Sequence, residues 1–453
     1  MVKLRHIGIV AAIVVGVPVS LAVAYFTAYA TGVSAADFCY RAGGIHYADG
    51  KYDEALGWYE RAGWLMPRRH YVHYNEALTL YELGRYEDAV ARYDLFLQHY
   101  PDHASAYTGK GEALTFAGEP EQALDAFAEA LARTPESADA HLCKGMALFR
   151  LRRYGEAARA FSRAAELDAA PAYPYFMEGG ALFALGRYRE ALACFDEAAD
   201  LEPDNARYWD RKGETLGLLG EYSEALKAFN VAIVADPDFA DPVRNEAVLL
   251  YVWGYYDEAA KLFDRALSLD PDDETAWLYK GMFLLARGDG AGGLTCLDQA
   301  LTLNPGQKNA WRLKGIALYM EGRYEEALAA AGKYTELGGT ELGCLLSYVF
   351  ASAAGEDGTE YLPSIIDGYP KTCGANVALY ITGEINEEQL FSSAGNDVNE
   401  RCTVHFYVGY KYKLDGDLKG ARRHFEAAAA TEARRTGAFI LAEHELRALN
   451  AGG

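Results

Sequence analysis

The chain has 453 residues, of which 51% are hydrophobic and 24% are charged, a composition typical of folded proteins. Asp and Glu outnumber Lys and Arg by 65 to 43, which gives a formal net charge of -22 at pH 7. This excess argues against a nucleic-acid partner, because phosphates require a basic surface, and against wide contact with anionic lipid.

The first predicted element is a membrane span. Residues 7–30 carry no formal charge, and Lys3 and Arg5 precede them. The apolar segment is long enough for a helix that crosses a bilayer, and basic residues favour the cytoplasmic side. We therefore predict a cytoplasmic segment over residues 1–6, a transmembrane helix over residues 7–30, and an extracytoplasmic location for the rest of the chain.

A cleaved secretory signal is the alternative interpretation of this segment, and it would make the protein secreted. Residues 28–30 and 33–35 both offer small side chains at a cleavage spacing. The apolar run is longer than the core of a usual signal, which favours the uncleaved anchor. Cys39 is not expected to carry a lipid, because the acidic and bulky residues before it do not fit a lipidation site.

Residues 36–339 repeat a pattern of 34 residues nine times without an insertion. The sequence Gly-Lys-Tyr-Asp-Glu-Ala-Leu at residues 50–56 returns as Gly-Arg-Tyr-Glu-Asp-Ala-Val at residues 84–90, and similar segments follow at the same spacing up to residue 322. A constant period of this length indicates a helical repeat in which each unit is one pair of helices. One pair cannot bury its own apolar face, so we predict stacked hairpins with a concave groove.

Recurring small and large residues predict where the helices meet. The eighth position of the unit is Gly or Ala in every copy, and the twentieth is Ala in every copy except the eighth, which has Gly293. Aromatic side chains occupy the twenty-fourth position in the first seven units. Small and large faces can interlock in this way at the density of a protein interior.

The spacing resembles that of the tetratricopeptide repeat family over residues 36–339. In the eighth unit the residues that carry the resemblance are Trp277, Lys280, Gly281, Leu284, Ala300 and Pro305. The resemblance implies a right-handed superhelix, so the predicted fold is an all-α, right-handed tetratricopeptide superhelix (α-solenoid) preceded by one N-terminal transmembrane helix. For function it implies proteins or peptides as partners.

The register is lost after Gly339, and residues 340–401 are predicted to form an irregular helical segment. The spacing returns in residues 402–450, which we predict to form a tenth tetratricopeptide-like hairpin with a capping helix. This end of the chain is similar to bacterial tetratricopeptide lipoprotein adaptors. Within the array, Gly290, Gly292 and Gly293 weaken one helix of the eighth unit, which should be its softest link.

The groove of this family is lined by positions 2, 5, 6, 9, 12 and 13 of the first helix, an assignment that comes from the resemblance. It makes the following residues candidates for partner binding: Tyr74, Tyr81, Phe116, Phe149, Phe176, Met177, Arg207, Arg211, Arg244, Tyr279 and Tyr319. Aromatic and Met side chains suit apolar groups of a partner, and Arg side chains suit carboxylates. The alternatives are that neighbouring hairpins bury the aromatic side chains and that the arginines form ordinary surface ion pairs.

No catalytic signature is present, and we predict no enzymatic activity, no cofactor and no metal site. The seven cysteines contain no CxxC pair; free thiols are favoured, although an oxidising compartment could join Cys373 to Cys402. The predicted function is a membrane-anchored scaffold for protein partners. The alternatives are a self-assembling homo-oligomer of the cell surface and, less favoured, a ligand or enzymatic site in residues 340–401.

Overall fold

A computed structural model describes residues 34–168, 170–431, 433 and 436–451. In this part of the chain the regular structure is α-helical apart from one 3-10 helix, and no strand occurs, which confirms the all-α prediction. The predicted span over residues 7–30 lies outside the described residues. Of the helices that are described, none combines the length and the apolar character that crossing a membrane requires.

The chain divides into two compact units, Met1–Ala228 and Phe229–Gly453. The helices of the first unit are α1 (Ala35–Ala48), α2 (Tyr52–Leu65), α3 (Tyr71–Glu82), α4 (Tyr86–Leu97), α5 (Ala104–Phe116), α6 (Pro120–Arg133), α7 (Ala138–Arg150), α8 (Tyr154–Leu167), α9 (Ala172–Ala184), α10 (Tyr188–Leu201) and α11 (Ala206–Leu218). Helix α12 (Tyr222–Ala235) contains the boundary.

The second unit continues with α13 (Ala240–Trp253), α14 (Tyr256–Leu269), α15 (Glu274–Ala286), α16 (Gly290–Leu303), α17 (Lys308–Met320), α18 (Tyr324–Glu336) and α19 (Thr340–Ala354). A 3-10 helix (Gly358–Tyr361) leads to α20 (Pro363–Gly368), α21 (Cys373–Thr382), α22 (Glu387–Ala394), α23 (Val398–Leu414), α24 (Leu418–Ala429) and α25 (Gly437–Ala451). Helices α1 to α10 each pack against the next helix, and so do α13 to α18, as expected for stacked hairpins.

A glycine in the first helix of a hairpin makes room for an aromatic ring of the second. A β-carbon at Gly145 would lie 2.5 Å from Cε1 of Phe161, and a β-carbon at Gly179 would lie 2.7 Å from Cε1 of Phe195. Both rings are at most 1% exposed. The small residue at the eighth position therefore sets the close approach of the two helices, as the sequence predicted.

The turn between the helices of a hairpin requires a left-handed backbone. Glycines supply it in most of the 34-residue repeat units, as at Gly50, where φ is 72°. In the fourth unit Arg152 stands at this position with φ 57°, and it is the one non-glycine residue of the described chain with positive φ. A side chain in this conformation is strained, because its β-carbon crowds the carbonyl that follows.

Ion pairs join the second helix of a unit to the first helix of the next. The same two repeat positions supply the lysine and the aspartate in four places, and the pairs are Lys110 with Asp94 at 2.6 Å, Lys212 with Asp196 at 2.9 Å, Lys280 with Asp264 at 2.7 Å and Lys314 with Asp298 at 2.7 Å. These pairs are partly exposed, so each contributes little to stability. They explain why Lys precedes Gly in several units.

The first part of residues 340–401 is more regular than the sequence indicated. Helix α19 spans 15 residues and packs against α18, as the next helix of the stack would. Its Phe350 is fully buried, and a β-carbon at Gly315 would lie 3.0 Å from the Phe350 ring. The ninth repeat unit has Ala331 where the first seven have an aromatic ring, and the Phe350 ring of α19 lies at the corresponding place beside Gly315.

The end of the chain forms a last hairpin, α23 and α24, followed by α25. A β-carbon at Gly409 would lie 2.9 Å from the ring of Phe425, so this hairpin closes like those of the array. Helix α25 packs against both α23 and α24, and it also contacts α17 of the ninth repeat unit.

Candidate partner-binding surfaces

Three of the predicted groove residues close their own hairpins. Tyr81, Phe149 and Tyr319 occupy the twelfth position of their units, and each meets a tyrosine at the start of its own second helix. The ring centroids are 5.5 Å apart for Tyr81 and Tyr86, 5.1 Å for Phe149 and Tyr154, and 5.4 Å for Tyr319 and Tyr324. This aromatic pair recurs in further hairpins, for example as Tyr47 with Tyr52 and as Tyr251 with Tyr256, so the recurring pattern reflects the closure of each hairpin.

Other predicted aromatic residues are half-buried against second helices. Tyr74 packs 5.3 Å from Phe96, and Phe176 packs 5.8 Å from Phe195, in each case against the second helix of the same unit. Tyr279 stacks at 6.2 Å on a phenylalanine of α14, and Met177 packs beside the core of its unit. These side chains therefore contribute to the packing of the hairpins and remain partly exposed.

Phe116 is the most exposed aromatic residue of the predicted set, with 36% of its surface accessible. Its ring lies 5.8 Å from that of Tyr81 and 5.4 Å from that of Tyr86. The guanidinium group of Arg150 lies 4.8 Å from the ring centroid, within the range of a cation–π contact. The side chain is thus held in place by its neighbours while it still faces solvent.

Two carboxyl groups stand beside these rings. Glu112 accepts a hydrogen bond from the thiol of Cys143 at 3.0 Å, and burial raises the pKa of the Glu112 carboxyl. Burial and the nearby Glu112 raise the pKa of Tyr81 to about 12. Tyr81, Glu112 and Phe116, together with the exposed Glu82, belong to the first compact unit, and we call them the aromatic–acidic patch of the first unit.

The predicted arginines have different surroundings. Arg207 is exposed, and no ion pair of its side chain occurs within the described residues. Arg211 pairs at 2.6 Å with Glu214 of the same helix, an ordinary surface contact. Arg244 lies 2.7 Å from Asp241 and 2.9 Å from Asp273, and Asp273 in turn caps the start of α15. Arg244 therefore connects α13 to α15 and is not free to hold a carboxylate of a partner.

Helix α25 covers the groove positions of the ninth unit. The hydroxyl of Tyr319 donates a hydrogen bond to Glu445 of α25, and Lys413 Nζ lies 2.5 Å from the same carboxylate. Gly437 at the start of α25 lies against Ile316 and Arg312 of α17. Tyr319 is only 3% exposed, because α25 lies over the surface that the sequence assigns to a partner.

The described residues contain no group of His, Cys, Asp and Glu side chains that could hold a metal ion. All seven cysteines are free thiols, including Cys373 and Cys402. A polar cluster in the second unit brings His405 Nδ1 to 3.2 Å from His424 Nδ1. Burial and the neighbouring His424 lower the pKa of His405 to about 4, so this pair is neutral near pH 7.

Family comparisons agree with this architecture. Residues 74–115, 116–174 and 176–238 match one model described as tetratricopeptide repeat, and residues 254–315 match a second with the same description. The chain contains tetratricopeptide repeats. The matched segments include helices of both units, and the repeats account for the period, the interlocked glycines and the paired helices described above.

Solved tetratricopeptide-like structures resemble parts of the chain. "Functional Characterization of Pseudomonas Aeruginosa pilF" is 19% identical, with a TM-score of 0.42, over 47% of this chain and 97% of that one. The yeast Tom70 structure is 14% identical, with a TM-score of 0.39, over 92% and 96%. The Thermus thermophilus protein TTC0263 is 25% identical, with a TM-score of 0.34, over 40% and 99%. No curated protein matches the sequence.

Proposed function

We propose that this tetratricopeptide repeat protein is a non-enzymatic scaffold that is anchored in a membrane by residues 7–30 and binds protein or peptide segments on its extracytoplasmic side. The aromatic–acidic patch of the first unit is the observation that carries the binding role. A scaffold needs exposed groups on a rigid support, and Phe116 is exposed while its neighbours hold it. The uncharged segment that follows Lys3 and Arg5 is the reason for the anchor.

The chemistry of the patch favours a partner segment with apolar and basic side chains. Phe116 and Tyr81 offer ring surface, and Glu82 and Glu112 offer carboxylates. Burial raises the pKa of Glu112, so a cation from the partner would stabilise its ionised form. The net charge of -22 adds a long-range attraction for basic partners.

A photo-crosslinking amino acid placed at residue 116 of the full chain, in its native membrane, tests this function. The matched control carries the same probe at Leu95, which is 39% exposed but lies on a second helix, away from the groove. We expect a defined protein partner to crosslink at 116 and not at 95, and Glu112→Gln to weaken that crosslink.

The proposal is overturned if both positions crosslink the same background of proteins. Crosslinks at 116 that join two copies of this chain would instead favour the self-assembling alternative. A carbonate wash of the same membranes tests the anchor separately, because a chain with an uncleaved span stays with the bilayer.

A further inference from the structure

The last residues of α2 and the turn that follows them expose large apolar side chains. Trp64 is 82% exposed and Leu65 is 41% exposed, and Met66 and Pro67 follow them. Residues 61–69 contain three arginines and no acidic residue. We call residues 64–69, which comprise the end of α2 and the turn after it in the first repeat unit, the first-unit loop.

Trp64, Arg68 and Arg69 have no counterparts in the other repeat units, whereas an exposed Leu at the position of Leu65 recurs as Leu201, Leu303 and Leu337. The positions equivalent to Trp64 in the other units are Gln98, Ala132, Glu166, Asp200, Val234, Ser268, Thr302 and Glu336. In five of those units the turn proline precedes an acidic residue, and these are Asp102, Glu136, Asp204, Asp238 and Asp272. The first repeat unit instead has Arg68 and Arg69 after Pro67. Since the shared repeat pattern does not require Trp or Arg here, these residues point to a local role.

The first-unit loop lies beside the point where the chain enters the array. Helices α1 and α2 are antiparallel neighbours, so the end of α2 adjoins the start of α1. Arg69 forms an ion pair with Asp37 in the first turn of α1, and its guanidinium lies 5.9 Å from the ring centroid of Tyr40. The side chain of Ser34 caps α1 at the same end.

This location is close to the predicted membrane surface. Residues 31–34 separate the end of the predicted span from the start of α1 at Ala35, and four extended residues reach at most about 14 Å. The headgroup layer on each side of a bilayer is about 5 to 8 Å thick. The first-unit loop is therefore within reach of the lipid headgroups whenever the span is inserted.

We propose that the first-unit loop docks on the bilayer surface next to the span. Trp64 and Leu65 enter the interface, where the amphipathic ring of Trp is favoured, and Arg68 contacts lipid phosphates. The large negative charge of the whole chain opposes wide membrane contact, but this contact is restricted to a stretch that is locally basic. The proposal rests on the anchor that forms part of the proposed function.

A photo-crosslinking amino acid at residue 64 of the full chain tests the docking. The chain is reconstituted in vesicles of phosphatidylcholine with or without phosphatidylglycerol, and lipid adducts are measured by mass spectrometry. Val234 is the matched control site, because it has the equivalent place in its unit and is 80% exposed. We expect much more lipid adduct at 64 than at 234.

A charge variant separates insertion of the ring from contact with phosphate. In vesicles with phosphatidylglycerol, Arg68→Gln should lower the adduct at 64 about fivefold, since one basic side chain near an anionic surface contributes about this factor. The reduction should be smaller in phosphatidylcholine alone. Arg69 is left unchanged because it pairs with Asp37.

The outcomes distinguish the two proposals. If the chain leaves the vesicles in a carbonate wash, the anchor is wrong and the docking falls with it. If the chain stays and residue 64 yields no more lipid adduct than residue 234, the docking alone is wrong. Adducts of residue 64 with protein in place of lipid would also overturn the docking.

Discussion

Adjacent glycines in the middle of α9 allow a sharp test of how the hairpins are held together. A β-carbon at Gly179 would lie 2.7 Å, 2.9 Å and 3.0 Å from three atoms of the Phe195 ring, and Phe195 is 1% exposed. A β-carbon at Gly180 would meet no atom within 4 Å. Gly179→Ala and Gly180→Ala therefore make the same chemical change in the same helix, but only the first one forces a buried ring to move.

The expected free energies have opposite signs. Replacing Gly by Ala in a helix interior stabilises it by about 1 kcal/mol, which is the whole effect expected for Gly180→Ala. For Gly179→Ala, forcing an extra carbon into a packed core destabilises by about 2 kcal/mol, and the same helix gain offsets half of this. The local opening free energy of α9 should thus rise by about 1 kcal/mol in Gly180→Ala and fall by about 1 kcal/mol in Gly179→Ala.

Hydrogen exchange read out by mass spectrometry measures these openings in peptides from α9 and α10. A second change, Phe195→Leu, should remove most of the difference between the two variants, because a smaller side chain leaves room for the added carbon. Equal stabilisation by Gly179→Ala and Gly180→Ala would refute the view that this close contact sets the helix spacing.

Further predictions concern backbone strain, the C-terminal helix, pH and the eighth unit. Arg152→Gly should raise the urea midpoint of the first unit, with a gain of about 1 kcal/mol, because glycine tolerates positive φ. Tyr319→Phe leaves the buried Glu445 without one hydrogen bond. The opening free energy of α25 should therefore fall by about 2 kcal/mol, and its amides should exchange faster. The unfolded chain binds a proton near pH 6.5 and the folded His405 only near 4, so stability should fall by about 2 kcal/mol as the pH drops from 7 to 5. His405→Phe should weaken this dependence in denaturation at pH 7 and pH 5. Amides of α16 should exchange faster than those of the flanking units because of its glycines, and uniform protection would contradict this.

The repeats could be predicted from the sequence because their determinants are local and recur. Gly145 and Phe161 are 16 residues apart, and the same pair of positions returns in neighbouring units. The groove was harder to predict, because Tyr81 and Phe116 are both aromatic residues of first helices, and only their neighbours show which one is exposed. Nothing in the sequence of α25 indicates that it covers Tyr319, because that contact depends on two segments far apart in the chain.

The contact between Tyr319 and Glu445 also has a consequence for biosynthesis. It joins residues 126 positions apart, whereas most contacts of the repeats join neighbouring helices. Among the described helices, α25 is synthesised last. The face of α17 that α25 covers therefore stays exposed while more than a hundred further residues are synthesised. A chaperone that binds nascent chains would have its longest opportunity there, and chains that stall in this interval should be the most prone to aggregate.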